Sequence, residues 1–130
     1  MNLFVYGTLI FEEILFALLQ KRYISIPGLL RNHAIKKFSS AEYPGIIPDI
    51  TATVSGKIIF DISQNDISIL DTYEGIMYQR TKIAVSTNSE DYKCQTYLVK
   101  DRYKAKLSQA AWCPLDFQKN SLKHYLENLK

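Results

Sequence analysis

Strand-like stretches outnumber helical ones in this chain and do not alternate with them. That order restricts the fold more than any other feature. Leu3-Phe4-Val5-Tyr6 is a short apolar run that stops at Gly7-Thr8, so it reads as a buried strand entering a turn. From Phe11 to Arg22 the period changes: Ile14, Leu15, Leu18 and Leu19 recur at helical spacing. Glu12 and Glu13 fall in the first turn and Lys21 and Arg22 in the last, an order that suits the helix dipole. Tyr23 to Phe38 is extended, with a break expected at Pro27-Gly28. Tyr43 to Asp49 is expected as a loop, because two prolines and a glycine forbid a regular helix. Val54 to Ile62 is a further strand, with Gly56 a candidate bulge.

Ser63 is placed to cap a helix, with Asp66 three residues on. Ile67, Leu70 and Tyr73 supply the buried face of that helix and Gly75 its stop. Tyr78 to Thr87 and Tyr92 to Lys100 form a hairpin across the polar turn Asn88-Ser89-Glu90-Asp91. Leu115 to Leu129 closes the chain as an amphipathic helix with Leu122, Tyr125, Leu126 and Leu129 facing inward. The expected fold is α+β, with a mixed, curved sheet rather than a doubly wound parallel one.

The 130 residues suit one domain spanning 1–130, and 47% hydrophobic against 22% charged residues is ample for one core. Nine tyrosines and six phenylalanines against one tryptophan favour strands and a lined cavity. The formal charge of +3 is spread over separate segments rather than gathered on one stripe, which argues against nucleic-acid binding. Cys94 lies in an alternating run, where a buried free thiol is the default; a disulfide to Cys113 is the alternative. Two cysteines and two histidines, His33 and His124, show no zinc-ligand spacing. No signal peptide precedes the first strand and no apolar run approaches the ~18 residues of a membrane span. The expected location is the cytoplasm, with no membrane partner.

Two places carry chemistry. A strand ending in Tyr6-Gly7-Thr8-Leu9 presents backbone N–H groups at the mouth of the sheet, and glycine lets that backbone approach a ligand. A helix beginning near Ile10 would add its own unpaired N–H groups. On local pattern alone an ordinary strand-to-helix turn is the simpler reading. Glu74 ends its helix just before Gly75, beside the negative end of the dipole and one turn after Asp71. Both neighbours raise a carboxyl pKa, burial would raise it further, and a general base or acid needs such an environment. A surface glutamate is the plain alternative.

Taken together, Tyr6-Gly7-Thr8-Leu9 and the later Leu70-Asp71-x-x-Glu74-Gly75-x-x-Tyr78-x-Arg80 resemble the gamma-glutamylcyclotransferase-like superfamily. The chain is most similar to the branch of avirulence-induced gene 2-like proteins and gamma-glutamylamine cyclotransferases. Tyr43-Pro44-Gly45, Pro48-Asp49, Val54-x-Gly56 and Tyr97 fit that branch as well, so the resemblance covers nearly the whole chain. It implies a mixed β-barrel flanked by helices, with a cavity between the first loop and the glutamate. It also implies substrate binding by Tyr6, Gly7, Thr8 and Leu9, catalysis by Glu74, and release of 5-oxoproline from a small γ-glutamyl substrate. No metal or organic cofactor is expected. A non-catalytic binder that keeps the cavity is the competing reading. Tyr97 is placed either in the cavity wall or in the framework. Tyr78 is expected in the core, and Arg80 is expected to order its strand or pair with an acid rather than bind substrate; His33, His124 and Trp112 are assigned to packing or surface. Oligomeric state is left open.

Overall fold

A computed structural model describes residues 1–129. Its strands are β1 (Leu3–Val5), β2 (Ser25–Lys37), β3 (Pro44–Ile59), β4 (Tyr78–Ser86) and β5 (Asp91–Val99). Its helices are α1 (Glu12–Leu19), α2 (Gln64–Glu74), α3 (Pro114–Asn120) and α4 (Leu122–Asn128), with 3-10 turns at Thr8–Ile10 and Asp101–Lys106. The strands close into a barrel in the order β1-β3-β2-β4-β5, with β1 and β5 parallel and the other pairs antiparallel. This is an α+β fold: a mixed barrel flanked by helices.

Alternation along β1 sets up two cores. Phe4 and Tyr6 join Leu30, Ile46, Val54, Ile58 and Val85 in one cluster, whereas Leu3 and Val5 join Ile14, Ile67, Leu70 and Phe117 in the other, which includes helix residues. The β1–β5 seam has a short ladder, with Leu3 opposite Gln95, and side chains extend it. The Thr96 hydroxyl donates to the Phe4 carbonyl at 2.9 Å and the Tyr6 hydroxyl to the Tyr97 carbonyl at 2.6 Å. Both sites are buried, so each bond also meets a polar group that would otherwise be orphaned.

Several expectations need correction. The segment expected as a loop from Tyr43 to Asp49 is, from Pro44 on, the first half of β3. Proline and glycine exclude a helix there but not a strand, because Pro44 starts the strand and Pro48 sits at the Arg31/His33 register shift. Pro27-Gly28 does not interrupt β2, whose edge toward β4 is paired only at Leu29. Gly56 is not a bulge: it pairs in register with Gly28, and a Cβ there would lie 2.3 Å from the Val5 carbonyl oxygen. Glycine is needed for that close crossing.

Helix α1 stops at Leu19 with Gln20 left-handed (φ 59°), so Lys21 and Arg22 lie beyond it. Lys21 pairs with Asp66 at 2.8 Å and Arg22 with Glu12. The C-terminal helix is two helices, broken at Ser121 (φ −132°, ψ −25°). Phe117 and Leu122 are both buried, and five residues at about 100° each would point them some 140° apart on one helix. The break turns both toward the core. Cys94 is a buried free thiol, pushed up to about 11 by burial, and Cys113 is free and exposed. No helix among the described residues is long and apolar enough to cross a membrane.

Candidate active site

Glu74 and the loop after β1 line one cavity of about 140 Å³. One water needs about 10–15 Å³, so this space holds a small polar molecule or part of one. Tyr6, Gly7, Thr8 and Leu9 form one wall, Tyr73 and Glu74 of α2 another, and Tyr43 and Pro44 a third. Tyr78, Tyr97 and Tyr125 complete it, so six of the nine tyrosines face one small space. Tyrosine gives rigid apolar area with a polar tip, which suits a cavity that must be both shaped and wet.

Most of the tips are committed to the framework. The Tyr6 hydroxyl donates to the Tyr97 carbonyl (2.6 Å), and that of Tyr78 to the Pro44 carbonyl (2.6 Å). The Tyr97 hydroxyl donates to Asp71 Oδ1 at 2.7 Å. Asp71 is also gripped by Arg80, whose Nε and Nη2 reach its two oxygens at 3.0 and 3.2 Å. Arg80 thus makes the acid pair expected of it. Tyr78 is buried but also lines the cavity, which the core assignment missed. Burial holds the hydroxyl pKa values of Tyr6, Tyr73, Tyr78, Tyr97 and Tyr125 above the ordinary range, with the nearby Glu74 charge pushing the same way. These tips are neutral donors and acceptors at physiological pH.

Glu74 is different. Among the described residues no protein group hydrogen-bonds or ion-pairs with its carboxylate. Protein crowds it on the cavity side, and this burial, followed by the charge of Asp71, pushes its pKa up to about 8. Helix α2 puts it there reproducibly: Ser63 caps the start, accepting from the Asp66 N–H at 3.1 Å. Gly75 ends the helix at φ 84°, where its N–H returns to the Asp71 carbonyl.

The loop turns sharply. Thr8–Ile10 is a 3-10 turn, and α1 begins only at Glu12, later than the Ile10 start expected. The N–H groups of Ile10 and Phe11 close the turn onto Gly7 and Thr8 carbonyls. Among the described residues no turn or cap bond uses the N–H groups of Gly7, Thr8 or Leu9. A Cβ on Gly7 would sit 2.9 Å from Pro44 Cγ, a rigid ring in the cavity wall, so glycine also preserves the shape of the cavity. Tyr43, Tyr73 and Tyr125 were not foreseen as site residues; the abundance of tyrosine was the available signal. Among the described residues no three His, Cys, Asp or Glu side chains gather as metal ligands would.

The profile of the family described as gamma-glutamyl cyclotransferase, AIG2-like, matches residues 3–114. AIG2-like protein C of Arabidopsis thaliana is 30% identical over 103 residues, covering 78% of this chain and 60% of that protein. The chain thus spans about 60% of the length of such curated relatives. A solution structure of another Arabidopsis thaliana protein superposes over 99% of this chain and 87% of its own, with TM-score 0.77 and 22% identity. A structure named gamma-glutamyl cyclotransferase superposes over 99% of this chain and 85% of its own, with TM-score 0.71 and 17% identity. The barrel agrees with the family match over residues 3–114, and the chain belongs to the gamma-glutamyl cyclotransferase, AIG2-like family.

Proposed function

We propose that this chain is a cofactor-independent γ-glutamyl cyclotransferase with Glu74 as its single acid–base group and Tyr6, Gly7, Thr8, Leu9 and Tyr97 around the substrate. One observation carries the reading: a carboxylate raised to about 8, without a partner among the described residues, lines the same cavity as a loop whose Gly7, Thr8 and Leu9 N–H groups enter no turn or cap bond among them. A substrate α-ammonium beside Glu74 would favour the ionised carboxylate, which then takes the ammonium proton. The freed nitrogen attacks the γ-carbonyl carbon of the same molecule, forming the five-membered ring. As the C–N bond to the leaving group breaks, Glu74 returns its proton to the departing nitrogen. The second proton of the new ring nitrogen follows through the same carboxylate, so the amine leaves as its ammonium form and Glu74 is ionised again. Products are 5-oxoproline and a free amine or amino acid.

Because nucleophile and electrophile belong to one molecule, folding the substrate into a ring-closing pose supplies much of the rate. The N–H groups of Gly7 to Leu9 are the candidates to hold the α-carboxylate or the developing oxyanion. The test incubates the protein with γ-glutamyl peptides, γ-glutamyl-ε-lysine and simple γ-glutamylamines, and measures 5-oxoproline by mass spectrometry. Ring release from at least one compound is expected. Saturable binding without release would instead favour a non-catalytic binder.

A further inference from the structure

Tyr125 lies eleven residues past the end of the family match, on α4, yet it forms part of the cavity wall. It is held there firmly. Phe117 of α3 is buried and packs against Phe11 (ring centroids 5.5 Å), Trp112 (5.7 Å) and Tyr125 itself (5.4 Å). These contacts fasten the helix pair to the segment that follows the Tyr6–Leu9 loop. Tyr125 then closes a chain of hydroxyls: its Oη is bonded to Tyr73 Oη, and Tyr73 Oη to Thr8 Oγ1 at 2.8 Å.

That chain has a proton to spare. Three hydroxyls carry three protons and the two internal bonds use two of them. The third must sit at one end. Thr8 is only 6% exposed, and among the described residues its hydroxyl is at hydrogen-bond distance from Tyr73 alone, with a weaker approach to Tyr125 Oη. A spare proton there would be a buried donor with no well-placed acceptor, which is costly. Tyr125 is only half-buried, so the favourable order runs Thr8 to Tyr73 to Tyr125 and leaves the Tyr125 O–H free to donate into the cavity.

We propose that Tyr125 is a specificity-determining residue that donates a hydrogen bond to the leaving group, favouring those with an acceptor close to the scissile bond. The assignment rests on the cyclotransferase reading. The geometry divides the substrate: the γ-glutamyl head belongs beside Glu74 and the buried Thr8 end, and the leaving group beside the more open Tyr125 end. Amino-acid leaving groups carry an α-carboxylate two bonds from the departing nitrogen, while simple alkylamines carry no acceptor.

The test compares wild type with Tyr125→Phe on γ-glutamylalanine and γ-glutamylethylamide, reading 5-oxoproline release. Phenylalanine keeps the ring that packs on Phe117, so thermal unfolding should move little. The expected result is a roughly ten- to hundredfold loss in kcat/KM on γ-glutamylalanine, mostly in KM, as for one hydrogen bond to a charged acceptor. Less than a twofold change is expected on the ethylamide. Tyr73→Phe, which breaks the chain in its middle, should show the same substrate-dependent pattern. Equal losses on both substrates, or none, would overturn the assignment while leaving the cyclotransferase reading intact. Absence of turnover of any γ-glutamyl compound by wild type would overturn both.

Discussion

The two ends of α2 each hold an acid packed against the core, and the two behave in opposite ways. Asp66, in the first turn, is 2% exposed, and burial alone would push its pKa up. Lys21 at 2.8 Å, the Tyr23 hydroxyl and the Ser63 cap outweigh that, so its pKa is lowered. Glu74, in the last turn, has no such partner among the described residues; burial and the Asp71 charge take it up to about 8. The dipole sharpens the contrast, since its positive end lies near Asp66 and its negative end near Glu74. Burial therefore does not decide whether a carboxylate is inert. Its partners do, and an acid left without them is available to a substrate.

The largest effect should come from removing the unpartnered acid. Glu74→Gln keeps shape and most hydrogen bonding but cannot accept and return a proton. A 10²–10⁴-fold loss of 5-oxoproline release, toward the upper end because one group handles both transfers, is expected with ligand binding largely kept. An equal rate in the variant would remove Glu74 from the chemistry. A pH series sharpens the same point. The base must be ionised, so kcat/KM of wild type should rise about tenfold per unit between pH 6 and 7 and level off near 8. A flat profile over that range would contradict a base with a raised pKa.

Much of this was readable from residue order. The Leu3–Tyr6 apolar run, the Ser63 cap, the Gly75 stop and the β4–β5 hairpin are local signals, and each appears at the expected place. Closure of the barrel is not local: it depends on contacts such as Thr96 with Phe4, ninety-two residues apart. The Pro44–Asp49 stretch misled because proline chemistry speaks against helices more clearly than against strand starts. Glu74 drew notice because a charge before a helix-ending glycine is electrostatically awkward. Tyr125 gave no such sign, since its partner Tyr73 is fifty-two residues away on another element.

Stability also distinguishes the two acids, whose contributions should carry opposite signs. Glu74 has a raised folded pKa, so its contribution is fully present below about 4.5 and is lost as pH rises through about 8. Glu74→Gln should then be more stable than wild type at pH 7 by about 1–3 kcal/mol, a range discounted for the exposure of the cavity. Asp66 has a lowered pKa, so its contribution is present above the ordinary carboxylate range and lost as pH falls through the folded value. Asp66→Asn should cost about 1–3 kcal/mol at pH 7 through weakened bonds to Lys21 and Tyr23, with kcat unchanged. Denaturant unfolding of both variants at pH 5 and pH 7.5 reads the signs. Two shifts of the same sign at neutral pH would dissolve the contrast.

The smallest effects should come from the residues that end the helix. Ser63→Ala removes the acceptor for the Asp66 N–H and should cost about 1 kcal/mol, as for other N-caps. Gly75→Ala places a side chain at φ 84°, where the added Cβ meets nothing within 4 Å, so its cost is conformational alone. About 1–3 kcal/mol is expected for an L-residue held at φ 84°, ψ −166°, a region essentially reserved for glycine. Thermal unfolding should therefore report a loss at least as large for Gly75→Ala as for Ser63→Ala. Activity should separate them: Gly75 adjoins Glu74, so relief of its strain shifts the carboxylate against the loop, whereas Ser63 lies eleven residues of helix rise (~16 Å) away. A severalfold fall in kcat for Gly75→Ala with no change for Ser63→Ala is the expected pattern, measured at a temperature where both are folded. Equal kcat values for the two variants would mean that the placement of Glu74 does not depend on how the helix ends.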